Sequence, residues 1–443
     1  MYALTQLIKN DMRPALGVTE PGAIAYAVST AKKYISGEIE EVQVYLNSGM
    51  YKNAFTCGIP NSNEVGNVFA AALGVIAGKP EKGLESLEDV TEDDNQKAVE
   101  LVAQGKVKVT LDHIGSEITI DAKVRTEKEE CIVKIAGSHT DIYYIEKNGT
   151  VIFEKKRERT ENHSEAEIPM IHQYTLSDIC KYLESVEEDE ISFINEAFVM
   201  NMELLKEGLA SARTTFGPLL LKQNGGMLIS KDARKTAQLL CNGAIEARVL
   251  GLNKPAMSIT GSGAHGIIAT LPLYAYQQYN QEQISNTDLL KATALSYLIT
   301  MYIKEYSGKL SAFCGCGIAA GTGMACGLCY LMGGGTLEMD MVIRNMASGI
   351  TGMICDGGNQ GCTMKGIVAV DAAFRAAEMA MYHVCIDEVH GINGKTPEET
   401  MKNMGLIASP GMTGTEKVIV EIMQEKLENE KAGGRHGQND KAS

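Results

Sequence analysis

The chain has 443 residues, 44% of them hydrophobic, and a formal net charge of -15. That length supports a large buried core, with two or three domains as a soft prior. The acidic balance argues against nucleic acid and anionic membranes as partners, since both need a basic patch. No apolar run reaches the roughly 20 residues of a membrane span or resembles a signal peptide, so a cytoplasmic protein is expected.

The first segment, 1–104, mixes helix and strand. Apolar spacing predicts helices over about Pro21–Tyr34 and Glu64–Ala77, with a period-two strand from Glu41 to Leu46 between them. Thr19 and Glu20 stand just before Pro21, which suits a first helical turn. Such a terminus reads equally as an anion site or as an ordinary cap. Asn47, Ser48, Lys52 and Asn53 follow the strand. They read equally as donors to a substrate carboxylate or as a hydrogen-bonded turn.

Residues 105–157 hold five short β-rich runs, with Lys147-Asn148-Gly149 as a hairpin turn. An antiparallel sheet is expected there. Ser138-His139-Thr140 falls at a strand end, where contact with substrate and a plain turn are both open readings. A charged linker spans about 155–167. From 168 to 426 the pattern is helical, with periodic segments near 177–186, 196–209, 231–250, 286–306, 315–332, 339–349, 366–383 and 397–404. A polar tail, 427–443, is expected to be disordered.

Two features inside the helical region carry chemistry. Thr260-Gly-Ser262-Gly-Ala264-His265-Gly266 brings backbone N–H groups close to a ligand but lacks the spacing of a nucleotide-binding loop. His265 is the best placed histidine for acid–base work. The second feature is cysteine. The 11 cysteines are odd in number and irregularly spaced, which argues against a disulfide framework. Cys180, Cys241 and Cys385 read as core cysteines. Cys326 and Cys329 form a C-x2-C inside an apolar helical run with no second such pair. By contrast, Cys314-Gly-Cys316-Gly and Cys355-Asp-Gly-Gly-Asn-Gln-Gly-Cys362 set thiols among glycines, as ligands to a soft metal or iron–sulfur cluster would be.

Taken together, Leu16-Gly-Val-Thr-Glu-Pro21, Gly261-Ser-Gly-Ala-His-Gly266, Cys314-Gly-Cys-Gly-Ile-Ala-Ala-Gly-Thr-Gly323 and Gly352-Met-Ile-Cys…Cys362-Thr-Met-Lys365 resemble the motifs of L-cysteine desulfidases. These are relatives of the α subunit of iron–sulfur-dependent L-serine dehydratases. The resemblance runs from about Met12 to Ala408. It implies a [4Fe-4S] cluster on Cys316, Cys355 and Cys362, with Cys314 as the alternative first ligand. It also implies release of sulfide, ammonia and pyruvate from L-cysteine, a small amino-acid substrate. Two positions depart from the family pattern. Val18 stands where a cysteine is usual, and Ala264 where an asparagine is usual.

The expected fold is α+β, a large Gly/Ala-rich helical cluster-binding domain with a smaller antiparallel β region. The N-terminal loops should close the active site from the side opposite the cysteines. With Val18 in place, His265 is the first choice of base, with Glu20 and Lys52 behind it. Thr19, Asn47, Ser48, Asn53 and Ser262 are the expected substrate-binding residues. The alternatives are an L-serine dehydratase-like deaminase, a catalytically silent paralogue that keeps the cluster, and cysteines that bind zinc or nothing. A homodimer is an expectation of family analogy alone.

Overall fold

A computed structural model describes residues 2–156 and 168–432. Among the described residues eight strands form two sheets: β1 (Arg13–Leu16), β2 (Ile39–Asn47), β3 (Val107–His113), β4 (Thr119–Thr126), β5 (Glu130–Ala136), β6 (Ile142–Lys147), β7 (Thr150–Glu154) and β8 (Pro255–Ser258). The larger sheet has the order β3-β2-β4-β5-β6-β7. It is mixed rather than purely antiparallel, because β2 runs parallel to β3 while every other neighbour is antiparallel. The parallel pair has a simple cause. The N-terminal strand β2 inserts between β3 and β4, and a parallel neighbour needs a crossover. The helices Gly66–Ile76 and Glu92–Ala103 supply it. One face of β4 is buried at every second residue, as its alternation demands, and the helix Thr19–Lys33 packs on β4 and β5. The β6–β7 hairpin turns at Asn148 and Gly149, both with positive φ, as a two-residue hairpin loop requires.

The rest is helical. Asn286–Ser307, opened by a Ser285/Asp288 capping box, packs against Gly263–Tyr279, Gly321–Leu331 and Pro397–Leu406. Close approach depends on glycine: a Cβ at Gly323 would stand 2.2 Å from the Ser296 carbonyl oxygen. The small sheet joins the two parts of the chain. Strand β1 pairs antiparallel with β8, Arg13 opposite Ser258 and Leu16 opposite Pro255. This pairing carries Thr19 and Glu20 to the Gly-rich turn that follows β8. The last helix runs Thr413–Ala432, into the stretch expected to be disordered. Residues 433–443 and most of the expected linker, from 157 to 167, lie outside the described residues. Cys241 is fully buried and Cys180 half-buried in their helices, whereas Cys385 is half-buried in a loop past the helix Gly361–Met381.

Candidate active site at the cysteine loops

Two segments far apart in sequence are stitched into one unit. Phe313 and Ile354 form an isolated antiparallel bridge. The Cys314 N–H donates to the Met353 carbonyl at 3.1 Å and the Cys355 N–H to the Ala312 carbonyl at 2.6 Å. Cys316 then opens a π-helical turn, Cys316–Ala320, that leads into Gly321–Leu331. Single π turns recur where a helix must present side chains to a site. Cys362 lies in the first turn of Gly361–Met381. The glycines beside the thiols are required by space: a Cβ at Gly317 would stand 2.3 Å from Met353 Sδ, and one at Gly315 2.6 Å from His265 Nε2.

Cys316, Cys355 and Cys362 are half-buried, whereas Cys57, Cys241, Cys326 and Cys329 are fully buried. Cys314 is also buried, and its sulfur accepts from the Gly317 N–H at 3.4 Å. Burial, and then the neighbouring Cys355, push the Cys362 thiol up to about 11, while Lys365 opposes this. Among the described residues no three His, Cys, Asp or Glu side chains stand close enough to share one metal ion. A cluster instead offers a separate iron to each thiolate. The donor set suits it: soft ligands on two joined loops, with the ammonium of Lys365 close by.

The N-terminal segment packs directly on these loops. Gly357 and Gly358 lie against the short helix Ser48–Asn53, where the Gly358 N–H donates to the Asn53 carbonyl at 3.2 Å. Val18 sits on the same loop, its Cγ1 2.8 Å from where a Cβ of Gly358 would be. Lys52 is fully buried. Its Nζ donates to the carbonyls of Ser311 (3.1 Å) and Cys355 (2.9 Å) and pairs with Glu416 at 3.4 Å. Burial would lower its pKa, but Cys355 and Glu416 more than reverse that, so it stays an ammonium that ties the two loops together. Asn53 bridges the walls: its Nδ2 donates to Glu20 Oε1 at 2.8 Å, and Cys355 Sγ approaches its Oδ1 at 3.9 Å.

Glu20 is buried and ionised. Burial pushes its carboxyl up, yet His139, Asn53 and Arg248 together hold it down at about 2. His139 reaches it from the β5–β6 turn, Nε2 to Oε1 at 3.8 Å, an ion-pair distance beyond hydrogen-bond reach. Thr19 Oγ1 donates to the Gly261 carbonyl at 3.3 Å and so ties the two Gly-rich loops together. Asn47 and Ser48 are fully buried and face the β3–β4 turn. Asn47 donates to the Gly115 carbonyl and accepts from the Thr119 N–H, while Ser48 accepts from the Gly115 N–H. Ser262 caps the helix Gly263–Tyr279 without a side-chain bond and stands half-buried at the turn.

His265 is buried, its Nδ1 2.6 Å from Thr260 Oγ1 and its Nε2 against Gly315. Burial, then the cations Lys304 and Arg248, lower it to about 3, so the imidazole is neutral. Lys304 is brought down by burial to about 8, with Cys316 and Cys355 partly offsetting the fall. Lys304 and Arg248 were not marked out by the sequence. The available signal was a cation inside a segment otherwise fit for burial, as in Ala244-Ile-Glu-Ala-Arg248-Val-Leu.

Residues 81–421 match the family described as serine dehydratase alpha chain. The chain belongs to the serine dehydratase alpha-chain family. Both cysteine loops, the Gly-rich turn and His265 fall inside that match, while Glu20, Lys52 and Asn53 precede it. Whole-length relatives carry the name UPF0597 protein. One from Clostridium botulinum strain Langeland is 40% identical over 426 residues, 95% of this chain and 98% of its own. One from Caldanaerobacter subterraneus is 39% identical over 430 residues, 96% and 99% of the two chains. One from Clostridioides difficile strain 630 is 32% identical over 423 residues, 95% and 99%.

Proposed function

We propose that this member of the serine dehydratase alpha-chain family is an iron–sulfur-dependent lyase that removes a β-substituent and the amino group from a small α-amino acid. The reading of choice is L-cysteine to sulfide, ammonia and pyruvate. The observation that carries it is the pairing of the two cysteine loops, which bear three half-buried thiols, with the ionised Glu20 linked to Cys355 through Asn53 and the neutral His265 against Gly315. Cys316, Cys355 and Cys362 would hold a [4Fe-4S] cluster. The greater exposure of Cys316 supports it over Cys314. When bound, the cluster supplies a Lewis-acidic iron that makes the β-substituent a better leaving group.

The chain's own residues would do the rest. His265 would take the α-proton at Nε2 while Thr260 fixes its ring through Nδ1. The bond to the β-sulfur breaks as that proton leaves, giving sulfide and an enamine. The enamine takes up water to give pyruvate and ammonia. Lys52 and Asn53 would keep the cysteine loop in place rather than exchange protons. Val18 adds an apolar surface on that loop, so any base must come from elsewhere. The alternative within the same chemistry is dehydration of L-serine, which the family description favours. Alanine at Cys316, Cys355 or Cys362 should each abolish sulfide and pyruvate release from an anaerobically prepared enzyme. Full activity in any one of the three would remove that cysteine from the ligand set, and L-serine turnover exceeding L-cysteine turnover would decide for the alternative.

A further inference from the structure

Three cations are buried among the described residues: Lys52, Lys304 and Arg248. Lys52 has three acceptors, and Lys304 donates to the Gly308 carbonyl at 2.9 Å. Arg248 is 4% exposed, its Nε has no hydrogen-bond partner, and its guanidinium forms no ion pair among the described residues. Its neighbour one half-turn earlier is the opposite case. Glu246 accepts from the N–H groups of Thr215, Phe216 and Gly217 at 2.7, 3.0 and 2.8 Å and is fully engaged. A buried unpaired guanidinium is costly, and its donors form a fork that fits a carboxylate.

The position of Arg248 gives that fork a use. Its side chain runs under Gly263, where a Cβ would stand 2.7 Å from Nε and 3.2 Å from Cδ. Gly263 opens the helix Gly263–Tyr279, whose free N–H groups favour an anion. Gly263 stands between Ser262 and His265, so the Arg248 side chain lies beside the Gly-rich turn of the candidate site. Glu20 and Arg248 attract one another without forming an ion pair, and Thr19, next to Glu20, bonds the Gly261 carbonyl of the same turn. A body carrying both charges would satisfy both.

We propose that Arg248, with the N-terminus of Gly263–Tyr279, is the subsite for the α-carboxylate of a zwitterionic amino acid, and that Glu20 receives its ammonium. This deepens the lyase reading and rests on it for the identity of the site. The test uses ligands that carry no leaving group, so that binding is separated from turnover. Full-length anaerobic protein is titrated calorimetrically with L-alanine, propionate and ethylamine. Arg248→Gln should weaken L-alanine and propionate on the order of 10- to 100-fold and leave ethylamine unchanged. Glu20→Gln should weaken L-alanine and ethylamine and spare propionate. Arg248→Gln should bind ethylamine as wild type does, whereas loss of a merely structural arginine would weaken all three ligands together. Arg248→Lys, which keeps the charge and loses the fork, should weaken L-alanine about 10-fold. Wild type that does not bind L-alanine, or variants that bind it within about threefold of wild type, would overturn the proposal. The predicted binding pattern in a protein that eliminates nothing from any β-substituted amino acid would leave this subsite standing and end the lyase reading.

Discussion

At the scale of single residues, the site is held by buried charges whose partners come from distant parts of the chain. Lys52→Met would leave Glu416 buried without its cation and the carbonyls of Ser311 and Cys355 without their donor. Breaking such a buried pair from one side costs about 3–5 kcal/mol, which denaturant titration would show as a lower midpoint. Glu20 has its own signature. Its carboxyl lies at about 2 against the usual 4.5, so the folded chain binds this proton less readily than the unfolded chain does. Its contribution is therefore fully present above pH 4.5 and is lost as the pH falls toward 2. The difference amounts to on the order of 3 kcal/mol, and Glu20→Gln should flatten acid unfolding across that window. The sequence showed which of these residues were unusual but not what they touch. Lys52 reads as a base or an anion donor from its neighbours Asn53 and Ser48. Only the Gly357 loop and the last helix reveal that its protons are spent on Ser311, Cys355 and Glu416.

Among the elements, strand and helix composition was legible whether one face is buried, as in β4, or nearly all of the element is, as in Ala233–Val249. The period-two runs become β3 to β7, and the 3.6-residue spacing becomes Thr19–Lys33, Ala233–Val249 and Asn286–Ser307. The helix Gly263–Tyr279 was hidden, because Gly-Ser-Gly-Ala-His-Gly reads as a loop and Pro272 reads as a stop. The glycines serve packing instead. A Cβ at Gly266 would stand 1.8 Å from the Met257 carbonyl oxygen, so only glycine lets this helix start against β8. Sheet order was hidden for another reason, since the insertion of β2 between β3 and β4 leaves no trace in either strand's alternation. Gly315 allows a direct forecast at this scale. Alanine there meets His265 Nε2 at 2.6 Å and Lys304 Cδ at 3.2 Å, so His265 or the Cys314–Cys316 turn must shift. Gly315→Ala should keep the helical circular dichroism of the native chain and lose most β-elimination activity. An active Gly315→Ala enzyme would show that the contact between this turn and His265 is dispensable.

Across the whole molecule, the candidate site is assembled from three regions that meet nowhere else in the sequence. The sheet supplies His139, the N-terminal segment supplies Glu20, Lys52 and Asn53, and the helical body supplies the cysteines, Arg248 and His265. The β1–β8 pairing fixes the second to the third. The helix Thr413–Ala432 closes the same junction from outside: Glu416 reaches Lys52, while Ile419 and Met423 pack on Ala312 beside the first cysteine loop. Truncation after Met412 should therefore expose Ala312, free Lys52 from its carboxylate and reduce iron retention after anaerobic reconstitution, while most of the helical content remains. No helix among the described residues is long and apolar enough to cross a membrane.

The most direct test is to reconstitute the full chain anaerobically with iron and sulfide, count iron per chain, and follow sulfide and pyruvate in parallel with L-cysteine and L-serine. The expected result is about four iron atoms per chain, lost on replacing Cys355, and pyruvate formed from at least one of the two amino acids. A chain that retains no iron, or that retains it and releases pyruvate from neither amino acid, would contradict it.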